Sequence, residues 1–313
     1  MLEVGKEYEF YGKVNLSNAS TYDRYPVNIT TENNETVIVR ILQDQSMSVN
    51  KVYHIKAKAI EFKDKIHLEA MAYQPLEKMD IDDKKREKLM KFFYDYAPIK
   101  VTHIRKDIDK AVNHIKNKVI FDITKHIYDK YNKEFYLYPA ASRFHHAYIS
   151  GLAYHTHTML KLAKGFLKVY SYLNEDLLMS GIILHDVCKI FEFDSYENSE
   201  YTIKGKLIGH ISMGVNLIHE VAKIYGYEET EEVMLLEHII ISHHYYGNYG
   251  SPKKPNIAEA LMIHFIDNID SKACVLGEEL DLVKQGELTK SIPVLDRERY
   301  YKHHLTNQEQ KKS

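Results

Sequence analysis

The sequence predicts an α+β protein, a small N-terminal β-barrel followed by an all-α domain. Three observations carry that expectation. The first 75 residues alternate polar and apolar side chains, the apolar residues beyond Asp80 recur every three or four positions, and eleven of the eighteen histidines crowd into residues 145–264. At 313 residues the chain exceeds one typical compact domain. Its 44% apolar and 27% charged side chains are those of a globular protein, not of a disordered or collagen-like one.

Five short alternating runs fill the N-terminal part, at 6–14, 27–30, 35–42, 52–59 and 65–70. The third, Glu35-Thr36-Val37-Ile38-Val39-Arg40-Ile41-Leu42, has the β-branched core that strands favour. Asn33-Asn34 and Lys63-Asp64-Lys65 supply turn chemistry between runs. Five strands in so short a span fit an OB-like barrel over residues 1–75, a fold that commonly holds single-stranded nucleic acid. Tyr8, Phe10, Tyr25 and Tyr53 are its candidate nucleic-acid-binding residues, as platforms for stacked bases. The competing expectation for each of these rings is that it fills the barrel core.

Pro75 opens a helical connector over 76–135, in which Leu89, Phe92, Phe93 and Tyr96, then Ile104, Ile108, Val112 and Ile115, recur at helical spacing around a break at Pro98. Its lysines suit a phosphate backbone or, more simply, a solvated helix face. Residues 136–275 form the all-α domain, with helices predicted over 146–170, 176–190, 206–225, 230–244 and 256–276 between Gly, Pro, Asn and Ser signals. Residues 276–313 are a C-terminal tail that ends in a polar stretch and carries no readable motif.

Uninterrupted apolar stretches such as 181–184 and 233–236 are far too short to span a membrane, and the mixed first residues suit neither a signal peptide nor a transit sequence. Cys188 and Cys274 form no CxxC pair, which argues against a disulfide scaffold or a thiolate zinc site. A cytoplasmic location is the expectation. The net charge of −2 does not announce nucleic-acid binding, but its distribution is uneven. Residues 76–135 carry 15 basic and 11 acidic side chains, whereas 136–275 carry 11 and 16. No GxxxxGK, GxGxxG or GxSxG motif is present.

The centre of the sequence is Ile182-Ile183-Leu184-His185-Asp186-Val187-Cys188-Lys189. An apolar helix buries these residues, and buried charge is costly unless paired or bound to a metal. Adjacent helix positions point about 100° apart, so His185 and Asp186 can reach one ion. Other isolated candidates sit in apolar contexts: His155 after Gly151-Leu152-Ala153-Tyr154, His210 after Leu207-Ile208-Gly209, His243 and His244 after Ile239-Ile240-Ile241-Ser242, and Asp267 after Ile263-His264-Phe265-Ile266. Taken singly, each histidine is better explained as an ordinary core or surface residue, the reading kept for His157, His219, His238 and His264. Taken jointly, imidazoles and carboxylates without thiolate predict a divalent metal site, for manganese, iron, cobalt or zinc, with ligands enough for one or two ions.

The order His155, His185-Asp186, Asp267 resembles the H…HD…D pattern of the HD-domain metal-dependent phosphohydrolases. His145-His146-Ala147-Tyr148, Gly151-Leu152-Ala153-Tyr154-His155-Thr156, Ser242-His243-His244 and Tyr249-Gly250-Ser251-Pro252 are more closely similar to the YhaM-type 3′–5′ exoribonucleases, which join an OB-fold to an HD domain. The resemblance covers most of residues 1–275, by texture in the barrel and by motif in the HD part. It implies a hydrolase that trims single-stranded RNA, and some single-stranded DNA, from the 3′ end with manganese. His210, His243 and His244 match the further ligand positions of dinuclear HD proteins. Cys188 departs from the pattern, where many HD domains have a small residue, and is expected to pack in the core.

The expected chemistry is attack on the terminal phosphodiester by metal-activated hydroxide. Lys189 and His146 are the catalytic candidates, Lys189 to neutralise phosphate charge and His146 to contact a phosphate or assist the leaving group. No membrane partner is expected, and a homo-oligomer is left open. Two other readings compete: an HD hydrolase of a small nucleotide, and a nucleic-acid-binding protein whose metal is structural.

Overall fold

The computed structural model describes residues 2–17, 23–142, 146–197 and 199–305; His145 of the motif above and residues 306–313 of the tail lie outside them. The chain divides into two units, one of residues 1–96 with 195–198 and one of 97–194 with 199–313.

The first unit is a closed OB-like barrel of β1 (Glu7–Ser17), β2 (Arg24–Thr31), β3 (Thr36–Leu42), β4 (Val52–Phe62) and β5 (Lys65–Pro75), in the order β1-β2-β3-β5-β4. Antiparallel ladders join all neighbours except β3 and β5, which pair in parallel at Val39 with Leu68 and Arg40 with Glu69. The period-two alternation turns Val14, Val27, Ile29, Val39, Ile41, Ile55, Ala57, Ala59 and Leu68 inward to form one core. Gly12 is required by closure, because a Cβ there would stand 2.3 Å from Ile29 Cγ2. Lys63 and Asp64 both take positive φ, at 53° and 61°, in the two-residue turn between β4 and β5. Helix α1 (Asp83–Phe93), capped by Asp82, completes the unit; Lys13 Nζ donates to Phe93 O at 2.8 Å and Tyr94 OH to Asn50 O at 2.7 Å.

The second unit is helical: α2 (Val101–Val112), α3 (Lys118–Lys130), α4 (Asn132–Phe135), α5 (Gly151–Val169), α6 (Glu175–Leu184), α7 (Lys189–Glu192), α8 (Ile203–Leu207), α9 (Gly209–Tyr225), α10 (Glu231–Ser242) and α11 (Ala258–Asp281). The stretch read as one connector is thus divided: α1 lies in the first unit, while Ile104, Ile108, Ile120, Ile123 and Ile127 enter the core of the second beside Leu152, Leu178, Ile182, Ile240 and Ile263. Gly181 lets α6 approach closely, since a Cβ would stand 2.5 Å from Ile263 Cδ1. The segment after α11 buries Ile292 and Leu295 with Val275, and Lys302 Nζ donates to Leu280 O and Val283 O at the end of α11. Among the described residues no helix is long and apolar enough to cross a membrane.

Candidate metal centre

The second unit gathers its polar side chains around Asp186. The apolar period carries α6 to Leu184, where His185 caps the helix and Asp186 follows in a turn. The expected helix over 176–190 is therefore interrupted, and the break re-aims both side chains. His155 lies in the second turn of α5 and Asp267 on α11. His210 is the second residue of α9, just after Gly209 turns the chain at φ 76°. His243 and His244 follow the end of α10. The carboxylate of Asp186 stands 3.3 Å from His185 Nε2, 3.3 Å from His210 Nε2 and 3.9 Å from His243 Nε2. His155 Nε2 stands 3.2 Å from Asp267 Oδ1.

The other ring nitrogen of each imidazole is already committed. His185 Nδ1 donates to Ile182 O at 2.8 Å, and His243 Nδ1 to Ile240 O at 2.7 Å. His210 Nδ1 donates to Glu192 at 3.0 Å. A carbonyl or carboxylate only accepts, so each Nδ1 carries a proton, and the neutral ring then offers its Nε2 lone pair to a cation beside Asp186. His185 Nε2, His210 Nε2, His243 Nε2 and Asp186 Oδ1 are all buried without a hydrogen-bond partner. Buried polar atoms left without a partner are costly, and a cation beside Asp186 would satisfy them. Asp186, His210, His243 and His244 form one group whose ligand atoms lie within 4.8 Å of one another, and His155, His185 and Asp186 form another.

The electrostatics agree with that fit except at His155. There burial lowers the imidazole but the Asp267 and Asp270 carboxylates raise it to about 9, so that an ion binding there displaces a proton. Burial pushes the Asp186 carboxyl up, but the Lys189 ammonium, 2.6 Å away, together with His185 and His210, holds it well below the usual carboxylate range. Burial also raises Asp267, and the hydrogen bond with His155 outweighs it, so this carboxyl too lies far below its ordinary value. Burial holds His243 and His244 below the ordinary imidazole value, with their neighbouring imidazoles adding to the effect. Neutral imidazoles and ionised carboxylates are the forms that bind metal.

Lys189 is mostly buried and paired with Asp186. His146 is set apart from Asp186, with Nε2 2.8 Å from Asp270 and Nδ1 2.8 Å from the hydroxyl of Tyr148. In the first unit Tyr53 is 4% exposed, its hydroxyl accepting from Ser48 N, so its inward register leaves no face for a base. Tyr8, Phe10 and Tyr25 are half-buried against the same core. Glu192 and Asp270 are members of the cluster, bonded to His210 and to His155 and His146, that sequence reasoning missed. Asp270 had a signal, a second acid one turn beyond Asp267 on an apolar helix, whereas Glu192 sits among Phe191 and Phe193 with none. His219, His238 and His264 bond to Glu237, Asn256 N and His243 O. Cys188 is buried.

A helical unit that collects His155, His185-Asp186 and Asp267 around one point is an HD domain, and the HD-domain family model matches residues 152–272. The 3′-5′ exoribonuclease YhaM of Bacillus pumilus is 42% identical over 210 residues, which are 67% of this chain and 67% of that one. The protein of the same name from Halalkalibacterium halodurans is 38% identical over 251 residues, 80% of this chain and 76% of the other. That of Shouchella clausii is 35% identical over 264 residues, 83% and 80%. The chain belongs to the YhaM family of 3′-5′ exoribonucleases.

Proposed function

We propose that this chain is a metal-dependent 3′–5′ exoribonuclease that hydrolyses the terminal phosphodiester bond of single-stranded RNA. The single observation that carries the reading is the set of buried, partnerless atoms His185 Nε2, His210 Nε2, His243 Nε2 and Asp186 Oδ1, gathered in two groups that share the Asp186 carboxylate. His155, His185, Asp186 and Asp267 would hold one ion, and His210, His243 and His244 with Asp186 would hold a second. A donor set of imidazoles and carboxylates without thiolate is compatible with manganese, as with iron, cobalt or zinc, and manganese is the ion we propose. A divalent ion bound there lowers the pKa of water and polarises a phosphoryl oxygen of the substrate.

The chain's own residues do the rest. Lys189 ties one oxygen of Asp186 and leaves the other, Oδ1, toward His210 and His243. Glu192 holds His210 from behind, accepting from its backbone N–H and its ring Nδ1. In the first unit the half-exposed Tyr8, Phe10 and Tyr25 remain the candidates for holding an upstream strand; Tyr53 does not. Single-stranded DNA is a second substrate under this reading, and the enzyme resides in the cytoplasm.

The test is digestion of 5′-labelled single-stranded RNA with manganese, beside the Asp186→Asn variant and a panel of nucleoside triphosphates and cyclic nucleotides. A ladder that shortens from the 3′ end, absent in the variant, is the expected outcome. Untouched RNA with a hydrolysed nucleotide would replace the reading with small-nucleotide hydrolysis, and no hydrolysis with any divalent metal would point to a binding protein.

A further inference from the structure

The metal-facing nitrogen of His155, like that of His210, is aimed by a carboxylate rather than by a backbone carbonyl. Backbone carbonyls hold His185 and His243, whereas His155 Nδ1 donates to the Oδ2 atom of Asp270 at 2.7 Å. The same oxygen accepts from His146 Nε2 at 2.8 Å, and His146 Nδ1 accepts from the Tyr148 hydroxyl at 2.8 Å. The result is a chain, Tyr148 to His146 to Asp270 to His155, whose members are buried or mostly so. Its far end is built with some strain. His146 adopts φ 53°, its carbonyl accepts from Ala140 N at 3.1 Å, and a Cβ on Gly151 would stand 2.0 Å from that carbonyl oxygen. A non-glycine residue held at positive φ is retained only where the surroundings over-determine it. Here the helix start at Gly151 and the ring bonds of His146 do so together.

We infer that Asp270, backed by His146, is a positioning residue that fixes the tautomer and aim of His155 for metal. The inference rests on the metal reading above. A carboxylate behind a ligating imidazole fixes which nitrogen carries the proton, makes the other a better donor, and holds the ring against rotation. Asp270 serves this purpose through one oxygen, and the second N–H arriving from His146 keeps that oxygen turned to His155. His146 therefore acts through Asp270 and His155, not on the substrate. This explains why a histidine conspicuous in the sequence lies away from Asp186.

Calorimetric titration of the full chain with Mn2+ alone tests this, with circular dichroism to confirm that each variant is folded. Wild type is expected to bind, and Asp270→Asn, whose carbonyl oxygen can no longer supply a charged acceptor, to bind the same number of ions about 10–100-fold more weakly. The hydrolysis rate of Asp270→Asn should recover at saturating Mn2+, a midpoint shift that a residue touching the substrate would not give. His146→Ala is expected to weaken binding and His146→Gln, which keeps an N–H for Asp270, to restore it; this pair decides the matter if Asp270→Asn does not fold. Unchanged affinity in Asp270→Asn would overturn the inference while leaving the metal reading intact. Loss of one ion, with the remaining affinity unchanged, would overturn it too, by making His146, His155 and Asp270 an ion site of their own. A wild type that binds no Mn2+ would sink the metal reading and this inference with it.

Discussion

Asp186 shows how one side chain concentrates the physics of the site. It is 3% exposed, carries a negative charge, and lies against one ammonium and three imidazoles. A charge so buried is tolerated only while its partners stay. Replacing Lys189 by Ala leaves the carboxylate without its ion pair and should cost about 3 kcal/mol of folding stability in the presence of a chelator, read from urea denaturation. Added Mn2+ should return part of that loss. Asp186→Asn keeps the volume but removes the donor, and its turnover at saturating Mn2+ should fall by more than the roughly 100-fold upper range of second-layer substitutions. At this scale the ligand types were legible, because isolated polar residues in apolar helices demand a reason. Their supports were less so. The bond from His146 to Asp270 could not be read from the sequence, and Glu192 was invisible among its aromatic neighbours. What bonds to the far side of an imidazole is decided by tertiary packing, which a linear pattern does not record.

At the scale of elements, alternation made all five strands readable, since a half-buried strand repeats every two residues whichever neighbour it pairs with. The helices were readable in kind but not at their breaks. Residues 182–190 continue an apolar run with no Gly or Pro to stop it, yet α6 ends at Leu184 and the chain turns until α7 begins at Lys189. The stop comes from His185, whose ring bonds to Ile182 O, and from Asp186, whose carbonyl accepts from Lys189 N. Nothing in local propensity marks it. By contrast Gly209, at φ 76°, did mark the boundary between α8 and α9 that the expected single helix over 206–225 overlooked. Two substitutions test these element-level arguments. Gly151→Ala places a methyl against the His146 carbonyl and should destabilise the fold by about 1–3 kcal/mol, seen as a lowered urea midpoint. Asp64→Gly removes the Cβ cost of the left-handed turn between β4 and β5 and should stabilise by up to about 1 kcal/mol in the same assay.

For the molecule as a whole, several phenols are buried in the two units, and they set its alkaline limit. Burial pushes Tyr128 up to about 12, with the Asp109 carboxylate adding to the rise. Tyr94 and Tyr136 are raised further, in each case first by burial. A phenol whose folded pKa exceeds its unfolded value keeps its proton longer in the folded chain. Its contribution is fully present below the ordinary phenol value of about 10 and is lost as pH rises through the folded value. Stability should therefore decline from about pH 10 upward, and Tyr128→Phe should lessen that decline in chemical denaturation curves recorded across the alkaline range.

Both units place their chemistry where their own cores put it, and the central claim is that the buried His and Asp cluster of the second unit is a metal centre. Anomalous scattering from a crystal of the full chain soaked in Mn2+ tests that most directly. The account predicts a peak bonded to the Nε2 atoms of His155 and His185 and to the carboxylates of Asp186 and Asp267, with any second peak sharing Asp186. A crystal with no peak among these residues, from protein that still trims RNA, would contradict it.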